Sequence, residues 1–240
     1  IKKINSFFKS YNEIRIIDLG TGTGSNFRYL SKKIKYKNQS WTLMDLSKSS
    51  LNEAKKNIVI NNKIKKINLK HDDIIKNIHQ HTFKDYDLVT GSAFLDIMPL
   101  DWFNKFYKLN TNTKLVYFSI NYDGYFKFFP KHNLDKDVLK LFNNDQKSKK
   151  NNKNKAVGPD CSDIINNCFS KTHKCYLFKS NWTDVKNKKF QLMFLDFCEK
   201  IIKKNRKTNL LDWIEFRKDN IINNKSKLSV NNKDFLAIKI

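Results

Sequence analysis

The chain of 240 residues reads as an α/β protein, a mostly parallel sheet covered by helices on both faces. Three observations predict this. Short apolar runs alternate with longer helix-like stretches, the pattern of a parallel sheet whose crossovers are helices. A glycine-rich turn joins the first apolar run to the stretch that follows it. The composition, 40% hydrophobic and 13% aromatic, supports a sizeable core in one domain of ordinary size.

Taken in order, "IRIIDL" (14–19), "WTLMDL" (41–46), "KINLKH" (66–71), "YDLVTG" (86–91) and "KLVYFSI" (114–120) are strands. Helices are expected near 25–35, 48–60, 73–79 and 100–109. Beyond residue 120 the pattern changes. Residues 121–146 are aromatic-rich and broken by Gly124 and Pro130, so they read as an inserted region, with "NYDG" as a turn. "KSKKNNKNK" (147–155) reads as a mobile, polar, low-complexity segment, a lid or an inert insertion. A helix opens at "GPD" (158–160). "KCYLFKS" (174–180) is a sixth strand, helices follow near 187–204 and 208–222, and "DFLAIKI" (234–240) closes the chain as a seventh. The whole, 1–240, is expected to be one domain, with a binding half over 14–120 and a substrate-side half over 121–240.

The formal charge of +24 invites a nucleic-acid reading. Only Arg15, Arg28, Arg206 and Arg217 are arginines, however. The charge is lysine accompanied by abundant asparagine and isoleucine, the trio an AT-rich coding sequence yields, whereas phosphate-binding surfaces lean on arginine's planar fork. A solvated basic surface is the favoured reading. Cys161, Cys168, Cys175 and Cys198 lack C-x-x-C spacing and are expected as free thiols of a reducing compartment. The five histidines are scattered, with His79-Gln80-His81 expected at the surface and no metal site. No apolar run reaches 18 residues, so a soluble, cytoplasmic protein is expected.

The chemistry concentrates in "IIDLGTGTG" (16–24). Gly20, Gly22 and Gly24 permit a tight turn and close backbone approach to a ligand. The spacing is G-x-G-x-G, not the G-x-G-x-x-G of nicotinamide-binding proteins, and an acid, Asp18, precedes it. That charge suits a ligand with a cationic amine and sulfonium better than a pyrophosphate.

Ile16-Ile17-Asp18-Leu19-Gly20-Thr21-Gly22-Thr23-Gly24 resembles the first motif of the class I S-adenosylmethionine-dependent methyltransferases. Asp45 ends the second strand, Asp72-Asp73 follows the third, and "TGSAFLDI" (90–97) ends the fourth, in that family's order. The resemblance implies a Rossmann-like, seven-stranded sheet whose last strand is antiparallel. It also implies S-adenosylmethionine as cofactor, released as S-adenosylhomocysteine. The cofactor-binding residues it implies are Asp18, Gly20, Thr21, Gly22, Gly24 and Asn26 at the loop. Asp45 would serve the ribose, with Leu46 beside it as a further cofactor-binding residue, one of Asp72 and Asp73 the adenine while the other caps a helix, and Gly91, Ser92 and Ala93 the methyl-transfer site.

Ligands of open α/β sheets bind outside the carboxyl ends of strands. Asp96 is accordingly the candidate substrate-facing carboxylate, as orienter or base, and Tyr122 a second candidate; Phe126, Phe128 and Phe129 wall a pocket or pack a core, and Trp182 is a further pocket candidate. Thr90-Gly91-Ser92-Ala93 stands where base N-methyltransferases of this family carry Asn or Asp before Pro-Pro-Tyr. No cysteine lies on the fourth or fifth strand for a thiolate mechanism. The expected acceptor is therefore a small molecule. The alternatives are an RNA acceptor, suggested by charge, and a subunit that binds the cofactor without turnover. The oligomeric state and the acceptor atom are not encoded in any recognisable pattern.

Overall fold

The structure, a computed structural model, describes residues 1–59, 61–148, 150–151 and 154–240. Helix α1 (Lys2–Phe7) precedes strand β1 (Ile14–Leu19), which leads through the glycine turn into α2 (Ser25–Lys33). Then come β2 (Gln39–Asp45), α3 (Lys48–Lys56), β3 (Ile64–His71), β4 (Leu88–Ser92) and α4 (Leu100–Leu109). The second half holds β5 (Leu115–Phe129), α5 (Asp135–Ser148), β6 (Lys150–Asn151), β7 (Asn154–Lys155) and α6 (Cys161–Phe169). It ends with β8 (His173–Lys179), β9 (Trp182–Val185), α7 (Lys188–Lys204), α8 (Leu211–Ile222) and β10 (Lys227–Lys239).

Among the described residues, the main sheet has the order β3-β2-β1-β4-β5-β10-β8, with β9 paired to β10. The first five strands run parallel, and β10 lies antiparallel between β5 and β8. The expected seven strands are all present; β9 is an eighth. Central β1 is covered on both faces, which is why every side chain from Ile16 to Leu19 is buried. On one face α1 and α2, the latter through Phe27, close a core over Ile14, Ile16 and Trp41; on the other Trp102 and Phe106 of α4 and Ile165 and Phe169 of α6 share a core with Phe83 and Phe118. A third core, around Phe126, Phe128, Phe142 and Trp213, lies under α5, α7 and α8.

Three local expectations are corrected. Residues 73–79 form no α-helix: Asp73 Oδ1 accepts from the amides of Ile75 and Lys76, and only a short 3-10 turn follows at Ile78–Gln80. Residues 121–129 are not an inserted loop but a continuation of β5. There Gly124 (φ +80°) sits in an irregularity of the ladder where a turn was expected, and Phe126 and Phe128 are core residues. Of the segment 147–155, Lys149, Asn152 and Lys153 lie outside the described residues, while Lys150–Asn151 pairs antiparallel with Asn154–Lys155. The four cysteines are free thiols, Cys161 and Cys198 buried and the other two half-buried. Burial pushes the Cys175 thiol up to about 11.

Candidate active site

The carboxyl ends of β1 to β4 meet around the glycine turn. Asp18, the last acid of β1, is fully buried: Thr21 Oγ1 donates to its Oδ2 and Asn26 Nδ2 to its Oδ1, each at 2.7 Å. Asn26 also reaches Thr90 Oγ1 at 3.3 Å, tying the turn to β4. Burial pushes the Asp18 carboxyl up to about 6, against two hydrogen bonds and with the nearby charge of Asp45 adding to the rise. This corrects the expectation that Asp18 offers its charge to a ligand, because a central parallel strand has no solvent-facing side. Asp18 and Thr21 instead hold the loop's shape from within, braced by Asn26.

The three glycines differ in purpose. All have positive φ, +61°, +55° and +82° for Gly20, Gly22 and Gly24. A Cβ on Gly20 would stand 2.4 Å from the Phe94 ring, so Gly20 lets that ring lie on the turn. A Cβ on Gly22 would meet nothing within 4 Å, so this backbone faces open space. The turn is pinned to β2, with Thr21 N–H donating to Met44 O (3.0 Å) and Gly22 N–H to Asp45 Oδ2 (2.7 Å). Asp45 Oδ1 accepts from Ser47 N–H (2.8 Å), and Ser47, not Asp45, caps α3. Each carboxylate oxygen keeps capacity for a further donor.

Beside this turn lies a cavity of about 320 Å³, lined by Gly20, Asp45, Leu46, Asp72, Asp73 and Ala93 among others. Its walls include residues the sequence had not singled out, Phe94 and Ile97 within the segment 90–97 expected at the carboxyl end of β4, and Met98 just after it. Leu46 is 64% exposed at its rim, an apolar side chain with nothing packed over it. Asp72 and Asp73 divide their work. Asp73 holds the turn after β3; Asp72 accepts from Asn77 Nδ2 (2.7 Å) and pairs with His81 Nε2 (3.2 Å) and Lys70 Nζ (3.7 Å). Burial works to raise the Asp72 carboxyl, but the Asn77 hydrogen bond and the charges of His81 and Lys70 hold it below its usual value. His81, expected at the surface, is therefore a buried partner of Asp72, its own pKa lowered chiefly by burial and then by Lys70.

On β4, Gly91 is a matter of packing: a Cβ there would stand 2.8 Å from Phe118 and 2.9 Å from Leu19 O. Ala93 takes φ +50° just past the strand, a strained conformation for a residue with a Cβ, and donates its N–H to Ser119 O at 3.0 Å. Asp96 lines a separate cavity of about 490 Å³ with Ala93, Phe142, Phe194 and Lys204, not the cavity beside Asp45. Tyr122 is 9% exposed, its hydroxyl donating to Asn143 Oδ1 (2.9 Å) and its pKa raised by burial. This corrects its candidacy as a catalytic group: it packs in the core beneath α5 and α7, because strand β5 continues where a loop was expected.

On the other side of the turn a second cavity, about 480 Å³, opens at the carboxyl ends of β4 and β8, beside Tyr117 to Ile120 within β5. Ser25, Asn26 and Ser92 line the end nearest the glycine turn; Tyr117, Trp182 and Asp234 are also in its wall. Trp182 thus lies where expected. Tyr117 and Asp234 were missed, since each looked like an ordinary member of its predicted strand.

Residues 16–110 match a protein-family model described as "Methyltransferase domain". No curated protein matches the chain by sequence. Among solved structures, a SAM-dependent methyltransferase from Methanosarcina mazei shares 10% identity with a TM-score of 0.56, covering 100% of this chain and 98% of its own. A candidate methyltransferase from Bacillus halodurans shares 13% at a TM-score of 0.51, covering 98% and 96%. At these identities the likeness is one of fold.

Proposed function

We propose, from the match of residues 16–110 to a methyltransferase-domain model and the fold shared with a SAM-dependent methyltransferase, that this chain transfers a methyl group from S-adenosylmethionine to a small molecule. The observation that carries the reading is the cavity lined by Gly20, Asp45 and Asp72, which sets acids beside the glycine turn at the carboxyl ends of adjacent strands. The residues fit the cofactor: Asp45 would take the ribose hydroxyls, Leu46 and Ile97 would lie on the adenine faces, and Asp72 and Asp73 would border the adenine edge. The methionyl end would cross Gly20 to Gly24 toward Asn26 and Ser92.

When bound, the cofactor supplies an electrophilic methyl on a sulfonium. An acceptor's lone pair would take that methyl with the C–S pair left on sulfur, and any proton on the acceptor would leave to solvent or a nearby base. The protein's part is alignment and exclusion of water, which in well-oriented systems offsets roughly 7–11 kcal/mol of barrier. We read residues 1–240 as a single domain, since β10, at the end of the chain, pairs with β5 along the length that carries both halves. Support for a small acceptor comes from the second cavity, whose size is that of a small-ligand site.

One observation favours a competing acceptor, RNA: the charge of +24. Binding to a single-stranded RNA that falls steeply with salt would favour it. The central reading is tested by calorimetric titration with S-adenosylmethionine, S-adenosylhomocysteine and NAD on wild type and Asp45→Ala. Binding of the two sulfur compounds, weakened in the variant and absent for NAD, supports it; no heat from either on folded protein overturns it.

A further inference from the structure

The second cavity carries a sharper statement about the acceptor. Its lining includes one charged side chain, Asp234, and no lysine or arginine among the described residues, in a chain with 47 of them. A site for phosphate, carboxylate or nucleic acid would be expected to use some of that abundant charge. Tyr117 and Trp182 line the same cavity, aromatic faces that attract cations.

The carboxylate is also held in place. Tyr117 Oη donates to Asp234 Oδ2 at 2.8 Å and Ile120 N–H to Oδ1 at 2.9 Å, leaving each oxygen room for another donor. Burial and the neighbouring Asp234 both raise the Tyr117 pKa, so the phenol stays a donor to the carboxylate. The backbone is irregular at this point. Between the pairs Phe118↔Phe235 and Asn121↔Lys233, β5 has two residues where β10 has only Asp234, and Ile120 takes φ +56°. A β-branched residue in the left-handed region is an outlier, and such strain gathers at ligand sites. Ser180, whose hydroxyl is buried with no hydrogen-bond partner among the described residues, lines the same cavity.

Resting on the methyltransferase reading, we infer that this cavity is the acceptor site and that it takes a small molecule bearing a positively charged amine, with Asp234 as its anchor and Tyr117 and Trp182 as its walls. Asn26 and Ser92 place its inner end against the path proposed for the cofactor's methionyl group.

The test uses the full chain and three probes of similar size: phenethylammonium, 3-phenylpropan-1-ol and 3-phenylpropionate. Trp182 is the readout, because the other three tryptophans are each 1% exposed; its indole N–H resonance is assigned with Trp182→Phe. Phenethylammonium is expected to shift that resonance saturably, bind at least tenfold more tightly than the alcohol, and lose about tenfold in Asp234→Asn, while the carboxylate does not bind. Equal or tighter binding of the carboxylate, or an Asp234→Asn affinity within twofold of wild type, overturns the inference. Should Asp234→Asn fail to fold, the comparison of the three probes on wild type decides it. Calorimetry with S-adenosylhomocysteine on the same samples separates the two levels. Cofactor binding without phenethylammonium binding removes the cationic acceptor and leaves the methyltransferase reading standing. Phenethylammonium binding without cofactor binding removes the cavity's role as an acceptor site.

Discussion

The two cavities flanking the glycine turn are built from opposite kinds of sequence information. The one beside Asp45 draws its lining from residues 20–98, the ends of strands in one continuous stretch. The one beside Asp234 gathers Ser25, Ser92, Tyr117, Trp182 and Asp234, from every part of the chain. The first is made by local chemistry repeated at each strand end, an acid or a glycine where the chain turns. The second exists only because β10 inserts antiparallel between β5 and β8. Under the proposed function, that difference would separate what binds a shared cofactor from what selects a particular acceptor.

The largest expected effect strikes the first cavity. Gly20→Ala forces a Cβ to within 2.4 Å of Phe94 in a backbone of φ +61°. Overpacking together with left-handed strain predicts a loss of roughly 3 kcal/mol, read as a lower urea midpoint, along with lost S-adenosylhomocysteine binding. Wild-type stability with intact binding would show that the ring moves freely and does not set the turn.

Asp45→Ala sharpens the comparison. Losing hydrogen bonds from a charged group predicts roughly 10- to 100-fold weaker cofactor binding by calorimetry. The Trp182 resonance should respond to phenethylammonium as in wild type. Loss at both sites would mean that the cavities are one.

Asp18 tests whether the turn is organised from within. Its carboxyl is raised from 3.8 to about 6, so its contribution to stability is full below about pH 3.8 and is lost as pH rises through about 6. The stability difference between wild type and Asp18→Asn, from urea unfolding at pH 4, 5, 6 and 7, should therefore shrink as pH climbs. The Asp72 carboxyl, which is lowered, contributes the opposite slope in both proteins and cancels in the difference. A constant difference would mean that Asp18 titrates as it does in the unfolded chain.

The smallest effect belongs to Tyr122→Phe. It removes the hydrogen bond to Asn143 and should cost about 1 kcal/mol of stability, leaving cofactor and probe binding unchanged. A loss of probe binding would return Tyr122 to the acceptor site.

By itself the sequence determined the sheet, the turn and the acids around it. Apolar runs of strand length report burial on both faces, and Gly20, Gly22 and Gly24 report a backbone that must take left-handed angles. Both signals are local; Asp45, Leu46, Asp72 and Asp73 were grouped by the resemblance to a known family's motifs, and the structure brings all four to the wall of one cavity. Only the tertiary structure decided which way side chains face and which distant segments meet. Asp18 turned inward because β1 became the central strand. Residues 121–129 became strand because β10 offered a ladder for them, and that buried Tyr122. Asp234, unremarked in the sequence, gained its place from the bulge that Ser119 and Ile120 form opposite it, the latter 114 residues away in the chain. Pairings of that range depend on the packing of the whole sheet, which leaves no periodic trace in either segment alone.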